Sequence, residues 1–564
     1  MPAARTLVAA LFTLLACVRA VAETGPTTAG RNGAVAAEHL LASRAGVEIL
    51  QSGGNAVDAA VAAGLATGVV NPSSSGLGGG GFLVVYLGDE SRVHTVDFRE
   101  TAPRASERDM YVRDGTVDAN ASLRGGLAVG VPGEVAGFAL ALERFGTKTF
   151  AEVAAPAIRL AREGFPVEPH LAEMIDRFRD RLAADTELAA TFLHADGSPL
   201  KEGERLSRPR LADTLERLAT EGPKSFYEGE LAGAIVAAVR AGGGIMSAED
   251  LSGYRPRQRP PVIVSYRKWQ IVGMPPPSSG GGVIGETLNV LAPYRPRDLG
   301  HNSSTYLHVL AEGFKAAFAD RARVYGDPDF VRVPLLRLLS ADHAAKIRRR
   351  ISAVEVVPPA VYGNAAPVSD AGTAHISVVD AFGNAAACTT SVNTPFGALL
   401  AVPKHDIVLN NTMDDFSVRP GVANTYGLVG SEANAIAAGK RPLSSMAPTI
   451  VLQDGRVRLV AGASGGPLII TGTLQAMVNV LEFSMDAGRA VAAPRVHNQW
   501  MPDRLAVEKG IPESVRSSLE RRGHNVVQIP RAAAVQLVEL VSDSQGRLVR
   551  AASDARKGGQ AAAF

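Results

Sequence analysis

The chain has 564 residues, of which 46% are hydrophobic and 20% are charged, and it contains 58 glycines and 34 prolines. This composition is that of an ordinary globular protein, and it excludes a disordered, collagenous or coiled-coil chain. The 58 basic and 56 acidic residues leave a net charge of +2, so no global field attracts the chain to nucleic acid or to an anionic membrane. The expected partner is therefore a small molecule.

The N-terminus has the pattern of an export signal. Arg5 precedes an apolar stretch over residues 7–18, and Ala20-Val21-Ala22 supplies small residues for cleavage before Glu23. We therefore predict a signal peptide over residues 1–22 and a periplasmic or secreted protein. The apolar stretch is too short to span a bilayer of about 30 Å, and no later stretch is apolar for long enough to be a transmembrane helix.

Cysteine and histidine usage limits the covalent and metal chemistry. Cys17 and Cys388 are the two cysteines of the sequence, which excludes a disulfide framework and a zinc site built on cysteines. Residues 14–17 (Leu-Leu-Ala-Cys) resemble the lipobox of bacterial lipoproteins, so lipidation of Cys17 is an alternative to cleavage after Ala22. Cys388 lies in a predicted strand, where we expect a core residue. The histidines form no His-Glu-x-x-His motif, and we predict neither a metal nor a cofactor.

The predicted elements indicate an α+β protein. Helices come first, hairpins and further helices follow, and residues 358–372 have loop composition without periodicity. This order is typical of an antiparallel core covered by helices, not of a doubly wound parallel sheet. The main predicted elements are helices over 35–51, 56–69 and much of 137–242, strands over 82–87, 93–98, 375–379, 385–390, 449–453 and 456–460, and a helix over 468–481.

One candidate nucleophile is Ser464. Residues 462–466 (Gly-Ala-Ser-Gly-Gly) fit the Gly-x-Ser-x-Gly pattern of a nucleophile elbow, between a predicted strand and a predicted helix. A serine hydrolase would complete its triad from Asp486, Asp503, His497 or His524, but only 98 residues follow the motif, and no repeated βα units precede it. The consecutive glycines have another use, because backbone N–H groups left unshielded at such a turn suit an oxyanion hole.

A second candidate nucleophile is Thr373, where the 358–372 loop changes abruptly into a predicted strand. If the chain were cut before Thr373, this residue would carry both a hydroxyl and a free α-amine. An α-amine with a pKa of about 7.7 to 8 can serve as a general base at neutral pH. A threonine at the start of a strand is ordinarily structural, so this prediction depends on the neighbouring motifs.

The neighbouring motifs are, in order, segments 97–103, 130–133, 274–281, 373–380, 393–397, 409–416, 440–446 and 464–466. Together they resemble the γ-glutamyltransferases, also called glutathione hydrolases, from about residue 33 to the C-terminus. The resemblance implies an αββα N-terminal nucleophile hydrolase fold, made as an inactive precursor that cuts itself between Gly372 and Thr373. The products would be a large subunit of residues 23–372 and a small subunit of residues 373–564, and no cofactor is implied.

The resemblance also implies the reaction. Thr373 would attack the γ-glutamyl carbonyl of glutathione or a related amide, and water, an amino acid or a dipeptide would take the glutamyl group from the acyl-enzyme. Gly465 and Gly466 match the oxyanion-hole glycines. Ser391 stands where the family commonly has a threonine that assists self-processing, and Ala374 stands where a hydroxyl residue is frequent.

The predicted substrate pocket binds both charges of an amino acid head group. Arg99 matches the arginine that pairs with the glutamyl α-carboxylate, a role suited to a planar bidentate cation. Asp415 matches a group that holds the α-ammonium. The other predicted pocket residues are Ser444 and Ser445 at the carboxylate, and Asn393 and Thr412 near the ammonium, with Thr412 replacing the family's usual Gln or Glu.

Three alternatives to this interpretation stay open at the level of sequence. Related acylases that act on other amides, such as glutaryl β-lactams, share the catalytic residues but need no partner for an ammonium, which makes Asp415 the discriminating residue. A serine hydrolase built on Ser464 is the second alternative, and an exported amino-acid-binding protein is the third.

Residues 420–430, which include Tyr426, resemble the family's lid loop over the pocket.

Overall fold

The computed structural model describes residues 23–118, 120–362, 372–419 and 421–564. The predicted signal peptide with Cys17, and residues 363–371 of the predicted loop, lie outside the described residues. None of the described helices combines the length and the apolar character that crossing a membrane requires.

Two antiparallel sheets form the centre of the protein. The first sheet has eight strands, in the order Glu23–Gly25, Gln560–Ala563, Ala34–Ala37, Gly372–Val379, Ala385–Asn393, Gly80–Leu87, Arg92–Phe98 and Arg257–Gln258. The second sheet has seven strands, in the order Val262–Tyr266, Trp269–Gly273, Thr449–Gln453, Arg456–Ser464, Ala534–Asp543, Gly546–Ser553 and Thr27–Gly30. Both sheets contain strands from before and from after position 373, so the two predicted subunits share one fold.

The sheets pack face to face, and helices cover both outer faces. One apolar cluster, which includes Phe82, Val272 and Ile450, lies between the sheets, and a separate cluster lies between each sheet and its helices. The helices on the first sheet are Leu40–Gln51, Ala56–Val70, Glu134–Phe145, Phe150–Glu163, Pro169–Leu182, Thr186–Phe192, Pro209–Glu221, Gly229–Ala241 and Ala248–Ser252. The helices on the second sheet are Gly280–Leu291, Pro296–Leu299, Ser304–Val324, Leu335–Leu338, Ala341–Arg348, Leu468–Leu481, Ala487–Ala492 and Glu513–Arg521. This arrangement confirms the predicted α+β class and the four αββα layers.

Short strand pairs complete the structure outside the two main sheets. They are Val112–Arg113 with Thr116–Val117, Phe165–Pro166 with Arg205–Leu206, and Ala401–Val402 with Ile407–Val408. A three-stranded sheet contains Val496–His497, Leu505–Glu508 and Val526–Ile529.

The central strands are buried on both faces. Every residue of Gly372–Val379 and Ala385–Asn393 is buried, because one face meets a helical layer and the other meets the second sheet. Cys388 lies in this region as a buried free thiol, which confirms its predicted place in the core. The candidate nucleophile Thr373 therefore lies in a strand that is buried on both faces.

The first predicted helix begins later in the structure than the sequence indicates. The alanine-rich segment 35–51 was expected to be helical throughout, but Ala34–Ala37 is a strand and the helix begins only at Leu40. This strand pairs with Gly372–Val379 on one side and with Gln560–Ala563 on the other. Two ladders of backbone hydrogen bonds thus override the helix propensity of alanine, a competition that the local sequence does not reveal.

Candidate active site

Thr373 lies next to the beginning of the strand Gly372–Val379. The register between this strand and Ala385–Asn393 shifts across Thr373, which is the mark of a β-bulge. Bulges re-aim side chains and are common beside active sites. The Thr373 Oγ1 atom lies 3.1 Å from the Oγ of Ser391 on the neighbouring strand.

Ser391 connects the hydroxyl of Thr373 to the peptide bond that precedes it. The Ser391 hydroxyl donates a 2.6 Å hydrogen bond to the carbonyl oxygen of Gly372 and accepts one of 2.8 Å from the backbone N–H of Asn393. A Cβ atom at Gly372 would lie 2.8 Å from the carbonyl oxygen of Ser73, so the close packing of the backbone requires glycine here. The predicted cleavage residues and Ser391 thus lie in direct contact.

The two predicted oxyanion-hole glycines occupy the turn between Arg456–Ser464 and the helix Leu468–Leu481. Gly465 has φ of +128° and Gly466 has φ of +56°, conformations that glycine adopts at low cost. Gly466 lines a cavity with Thr373 and Ser391, whereas Gly465 lines an adjoining cleft that Gly372 also borders. The turn therefore borders both cavities at the candidate nucleophile.

We name the cavity beside Thr373 the nucleophile cavity. It brings together residues that are far apart in sequence, from position 99 to position 469. The predicted site residues that line it are Arg99, Thr373, Ser391, Asn393, Asp415, Ser444, Ser445 and Gly466.

Arg99 and Asp415 pair with each other across the nucleophile cavity. The Arg99 guanidinium is completely buried and forms ion pairs with Asp415 and, at 3.2 Å, with Glu100. Its Nε donates to the carbonyl oxygen of Pro442 at 3.3 Å. Burial raises the pKa of Asp415, and the charge of Arg99 opposes that shift. A cation and an anion are thus held side by side, as a zwitterionic head group requires.

The structure distinguishes Asp415 from its neighbour Asp414. Asp414 accepts hydrogen bonds from the Ser122 hydroxyl at 2.7 Å and from the backbone N–H of Thr425 at 3.0 Å. Burial raises the pKa of Asp414 to about 6. Asp414 therefore anchors the loop that contains Thr425, and Asp415 is the acid that faces the cavity.

Tyr426 covers the cavity from the predicted lid loop. Its buried hydroxyl donates to the side-chain oxygen of Asn393 at 2.7 Å and lies 2.9 Å from the Asn393 carbonyl oxygen. The side-chain amide of Asn393 in turn donates to the carbonyl oxygen of Asn411 at 3.0 Å. These contacts place the described part of the loop, 421–430, at the nucleophile cavity, whereas Pro420 lies outside the described residues.

The segment 274–281 supports Ser444 and Ser445. The Ser444 N–H donates to the carbonyl oxygen of Pro277 at 2.8 Å, and the Ser279 hydroxyl donates to the carbonyl oxygen of Ser444 at 2.7 Å. Both motifs of the predicted family therefore meet in one structural unit at the wall of the cavity.

Arg321 is a site residue that sequence reasoning missed. It lies on the helix Ser304–Val324, and its buried guanidinium donates to the hydroxyls of Ser279 at 2.9 Å and Ser445 at 3.3 Å. Within the described ranges, no carboxylate forms an ion pair with it. Burial lowers the pKa of Arg321 to about 10, although Asp415 acts in the opposite direction. The signal available in the sequence was an arginine at a position that the helical pattern places in the core. The sequence did not show that this arginine contacts residues of the nucleophile cavity.

Thr412 lies outside the lining of the nucleophile cavity. Its hydroxyl is buried without a hydrogen-bond partner, and its backbone N–H donates to the side-chain oxygen of Asn410 at 3.0 Å. The contact of Thr412 with the substrate ammonium therefore stays a prediction.

The structure does not assemble the predicted serine-hydrolase triad. The Ser464 hydroxyl is buried, and the side chain it faces is the buried carboxylate of Glu38. His497 contacts Thr471 and Gln499, and His524 contacts His308. Within the described chain neither histidine hydrogen-bonds to Ser464, so this serine lacks the base that a nucleophile of this class requires.

Two groups of side chains have the composition of metal ligands, and both are outside the nucleophile cavity. They are His308 with Glu312 and His524, and Glu286 with Asp320 and His343. In the first group, the Lys315 ammonium lies 2.8 Å from Glu312 and already neutralises the carboxylate. In the second group, the hydrogen bond between His343 and Asp320 raises the pKa of His343 to about 9, which disfavours the neutral imidazole that a metal needs.

A buried carboxyl lies behind the nucleophile strands and was also missed. Glu134 accepts a hydrogen bond from the hydroxyl of Thr390, next to Ser391 in the chain. Burial raises the pKa of Glu134 to about 8, and the charge of nearby Glu100 adds to the shift. Glu134 opens a helix after a glycine and has no local pattern that predicts burial.

Replacing Glu134 by glutamine is expected to change the pH dependence of stability. A carboxyl whose folded pKa exceeds its unfolded value favours the folded state fully below about pH 4.5, and that contribution is lost as the pH rises towards 8, at about 1.4 kcal/mol per pH unit. Glu134→Gln should therefore melt within a few degrees of the unmodified protein at pH 5 and several degrees above it at pH 8.5. The exposed Glu143→Gln on the same helix is the matched control. Parallel melting curves for Glu134→Gln and the unmodified protein across this range would contradict the prediction.

The chain is similar to known proteins over most of its length. A family model described as Gamma-glutamyltranspeptidase matches residues 42–564. The glutathione hydrolase proenzyme of Escherichia coli (strain K12) is 42% identical over 518 residues, which cover 91% of this chain and 89% of the relative. The solved cephalosporin acylase from Bacillus halodurans has a TM-score of 0.83 at 28% identity and covers 95% of this chain and 97% of its own. The solved gamma-glutamyltranspeptidase of Helicobacter pylori has a TM-score of 0.56 at 39% identity and covers 57% of this chain and 92% of its own.

Proposed function

The chain belongs to the γ-glutamyltranspeptidase family and has its N-terminal nucleophile hydrolase fold, and from this premise we propose how its own residues carry out the reaction. The enzyme cleaves the γ-glutamyl amide of glutathione and related compounds and passes the glutamyl group to water, an amino acid or a dipeptide. Thr373 is the nucleophile, after the precursor has cut itself into subunits of residues 23–372 and 373–564.

The contact among Thr373, Ser391 and Gly372 carries this proposal. In the precursor, the Thr373 oxygen forms a bond to the carbonyl carbon of Gly372, and the Gly372–Thr373 C–N bond breaks. The proton leaves the Thr373 hydroxyl and reaches the new α-amine. Ser391 polarises the carbonyl under attack through its 2.6 Å hydrogen bond. Water then hydrolyses the resulting ester and frees the Gly372 carboxylate.

The same threonine then acts on the substrate. Its free α-amine takes the proton from its own hydroxyl as the oxygen attacks the γ-carbonyl, and the proton passes to the leaving amine. The backbone N–H groups at Gly465 and Gly466 stabilise the oxyanion of the tetrahedral intermediate. Water or an acceptor amine attacks the acyl-enzyme in the second half of the cycle and regenerates Thr373.

The pocket recognises a zwitterionic head group by exchanging ion pairs. Arg99 and Asp415 neutralise each other through their ion pair. A bound glutamyl group brings a carboxylate to Arg99 and an ammonium to Asp415, so both protein charges keep a partner and no buried charge is left uncompensated. Ser444 and Ser445 add hydroxyl donors at the carboxylate. Asp415 gives specificity for γ-glutamyl over glutaryl amides. A glutaryl substrate has no ammonium, so it takes the carboxylate's partner Arg99 and offers Asp415 no cation in return.

The proposal is tested by comparing two amides with the same leaving group. The processed enzyme should hydrolyse γ-glutamyl p-nitroanilide with a kcat/KM at least a hundredfold above that for glutaryl p-nitroanilide, which lacks the ammonium. Hydrolysis of a different amide, as by an acylase, is the second candidate function. The structural similarity of the cephalosporin acylase to almost the whole chain supports it. A preference for the glutaryl compound would favour the acylase and contradict the γ-glutamyl assignment.

Arg321 is proposed to position the hydroxyl of Ser445. Because the guanidinium donates to the Ser445 oxygen, the serine proton is directed to the substrate carboxylate, and the nearby positive charge favours that anion. Arg321→Met is expected to raise KM for γ-glutamyl p-nitroanilide about tenfold or more, with a smaller change in kcat, as expected for the loss of a hydrogen bond to a charged group.

Two comparisons separate this role of Arg321 from a structural one. The compound 4-aminobutanoyl p-nitroanilide lacks the α-carboxylate, so Arg321→Met should affect its KM much less. Arg323→Met, on the same helix but half exposed, is the matched control, and Arg321→Lys should recover part of the loss. An equal rise of KM for both substrates would contradict the positioning role.

The site of action is proposed to be outside the cytoplasm. The pattern of residues 1–22 supports export, with Cys17 as the alternative processing site. N-terminal sequencing of the large subunit should begin at Glu23 if the signal is cleaved, whereas a blocked, lipid-modified Cys17 would support the lipoprotein alternative.

A further inference from the structure

A larger cleft adjoins the nucleophile cavity at the bond that is to be cut. Gly372 and Gly465 line this cleft, while the next residues in the chain, Thr373 and Gly466, line the nucleophile cavity. The two cavities therefore meet at the point where the acyl group is transferred. A γ-glutamyl amide whose head group lies between Arg99 and Asp415 has its leaving amine at this junction.

The cleft contains three arginines that lack acidic partners. Arg124, Arg177 and Arg181 line it and are exposed, and among the described residues none of the three forms an ion pair. The guanidinium groups of Arg177 and Arg181 lie 5.9 and 5.3 Å from the ring centre of Phe178, which holds both at one wall. We name these three residues the arginine cluster.

Other basic residues of the same cleft are already neutralised. Arg531 forms an ion pair with Glu173 at 2.8 Å, and Arg556 forms one with Glu508 at 2.6 Å. The Lys557 ammonium lies 3.6 Å from the Glu38 carboxylate and donates to the carbonyl oxygen of Thr373 at 3.1 Å. The contrast shows that the arginine cluster is the uncompensated positive charge of the cleft. Burial lowers the pKa of Arg181, and the repulsion of Arg124 and Arg177 adds to this effect, so the three charges are close enough to act together.

We propose that the arginine cluster binds the carboxylate of the leaving peptide. It binds the carboxylate of an incoming peptide acceptor in the same way. This inference rests on the proposed function, because it takes the glutamyl group to occupy the nucleophile cavity. The ligand class is a short peptide with a free C-terminal carboxylate. Two peptide residues span about 7 Å, which lets the amine lie at Thr373 while the carboxylate extends along the cleft. The planar guanidinium group of arginine suits a carboxylate, because it can bind both carboxylate oxygens through two parallel hydrogen bonds.

The charge of the leaving group is the variable that tests this inference. Glutathione and its C-terminal glycine amide have the same γ-glutamyl bond and the same leaving peptide, except that the amide lacks the carboxylate. The processed enzyme at low ionic strength should show a kcat/KM for glutathione about tenfold above that for the amide. Raising the salt concentration should reduce this preference, because the cluster is exposed and its charges are screened.

Two variants with the same net charge complete the experiment. The triple variant Arg124→Gln, Arg177→Gln and Arg181→Gln should lower the preference to within about twofold of unity. The control variant Arg44→Gln, Arg113→Gln and Arg179→Gln removes three exposed arginines that do not line the cleft, and it should keep the tenfold preference. Melting curves establish that both variants are folded.

The outcomes separate this inference from the proposed function. An unmodified enzyme that hydrolyses both peptides equally, or a triple variant that keeps the full preference, would overturn the role of the arginine cluster while leaving the γ-glutamyl activity intact. An unmodified enzyme that hydrolyses neither peptide nor γ-glutamyl p-nitroanilide would overturn the proposed function and this inference with it.

Discussion

Thr373→Ala is expected to remain a single uncut chain and to lose at least 10⁴-fold in kcat/KM for γ-glutamyl p-nitroanilide. Without the hydroxyl there is no oxygen to attack the Gly372 carbonyl, so the ester that leads to cleavage cannot form. Without cleavage there is no α-amine, and the substrate meets neither nucleophile nor base. Both effects have one cause, which is why we expect the largest loss from this substitution.

Two further variants make the Thr373 prediction specific. Thr373→Ser keeps the hydroxyl and should still be cut, while losing the methyl group that restrains the side-chain rotamer. Ser464→Ala tests the serine-hydrolase alternative, and we expect it to be cut and to remain active. A denaturing gel and a p-nitroanilide assay measure both properties. Cleavage of Thr373→Ala at the normal rate, or an inactive Ser464→Ala that is correctly cut, would contradict the assignment.

Asp415→Asn is expected to lower kcat/KM for γ-glutamyl p-nitroanilide by about 10² to 10³-fold. The substitution keeps the shape of the side chain but leaves the substrate ammonium buried without its anion, and losing one partner of a buried ion pair costs about 3 to 5 kcal/mol. Arg99 keeps Glu100 as a partner at 3.2 Å, so the loss concerns the substrate more than the fold.

The substrate supplies the control for the Asp415 prediction. Glutaryl p-nitroanilide has no ammonium, so Asp415→Asn should change its hydrolysis much less, and the preference for the γ-glutamyl compound should collapse. Steady-state kinetics on both compounds measure this selectivity. Losses of the same size on the two substrates would show that Asp415 supports the structure of the cavity instead of recognising the ammonium.

The sequence predicted the layers of the fold better than the starts of its elements. Alternation of helices and hairpins was enough to indicate an antiparallel core with helical cover, because these patterns are local. The predicted helix over 35–51 includes residues 35–37, but Ala34–Ala37 is a strand because strands at positions 372–379 and 560–563 pair with it. Such partners are distant in sequence, and a run of alanines does not identify them.

The candidate site was predictable where short motifs identify its residues. Resemblance pointed to Thr373, Arg99 and Asp415, which the structure brings to one cavity. Thr412 shows the limit of this reasoning, because it stands at the position of a substrate contact in the motif and yet is not among the described residues that line the cavity. Arg321 and Glu134 were missed for another reason: their importance depends on burial and on contacts across more than a hundred residues.

The central claim is that the peptide bond between Gly372 and Thr373 is cut by Thr373 itself. The most direct measurement is N-terminal sequencing of the smaller fragment that the purified protein forms on its own. Our account predicts a fragment of 192 residues that begins Thr373-Ala374-His375. A smaller fragment that begins elsewhere, or a single intact chain with full γ-glutamyl hydrolase activity, would contradict it.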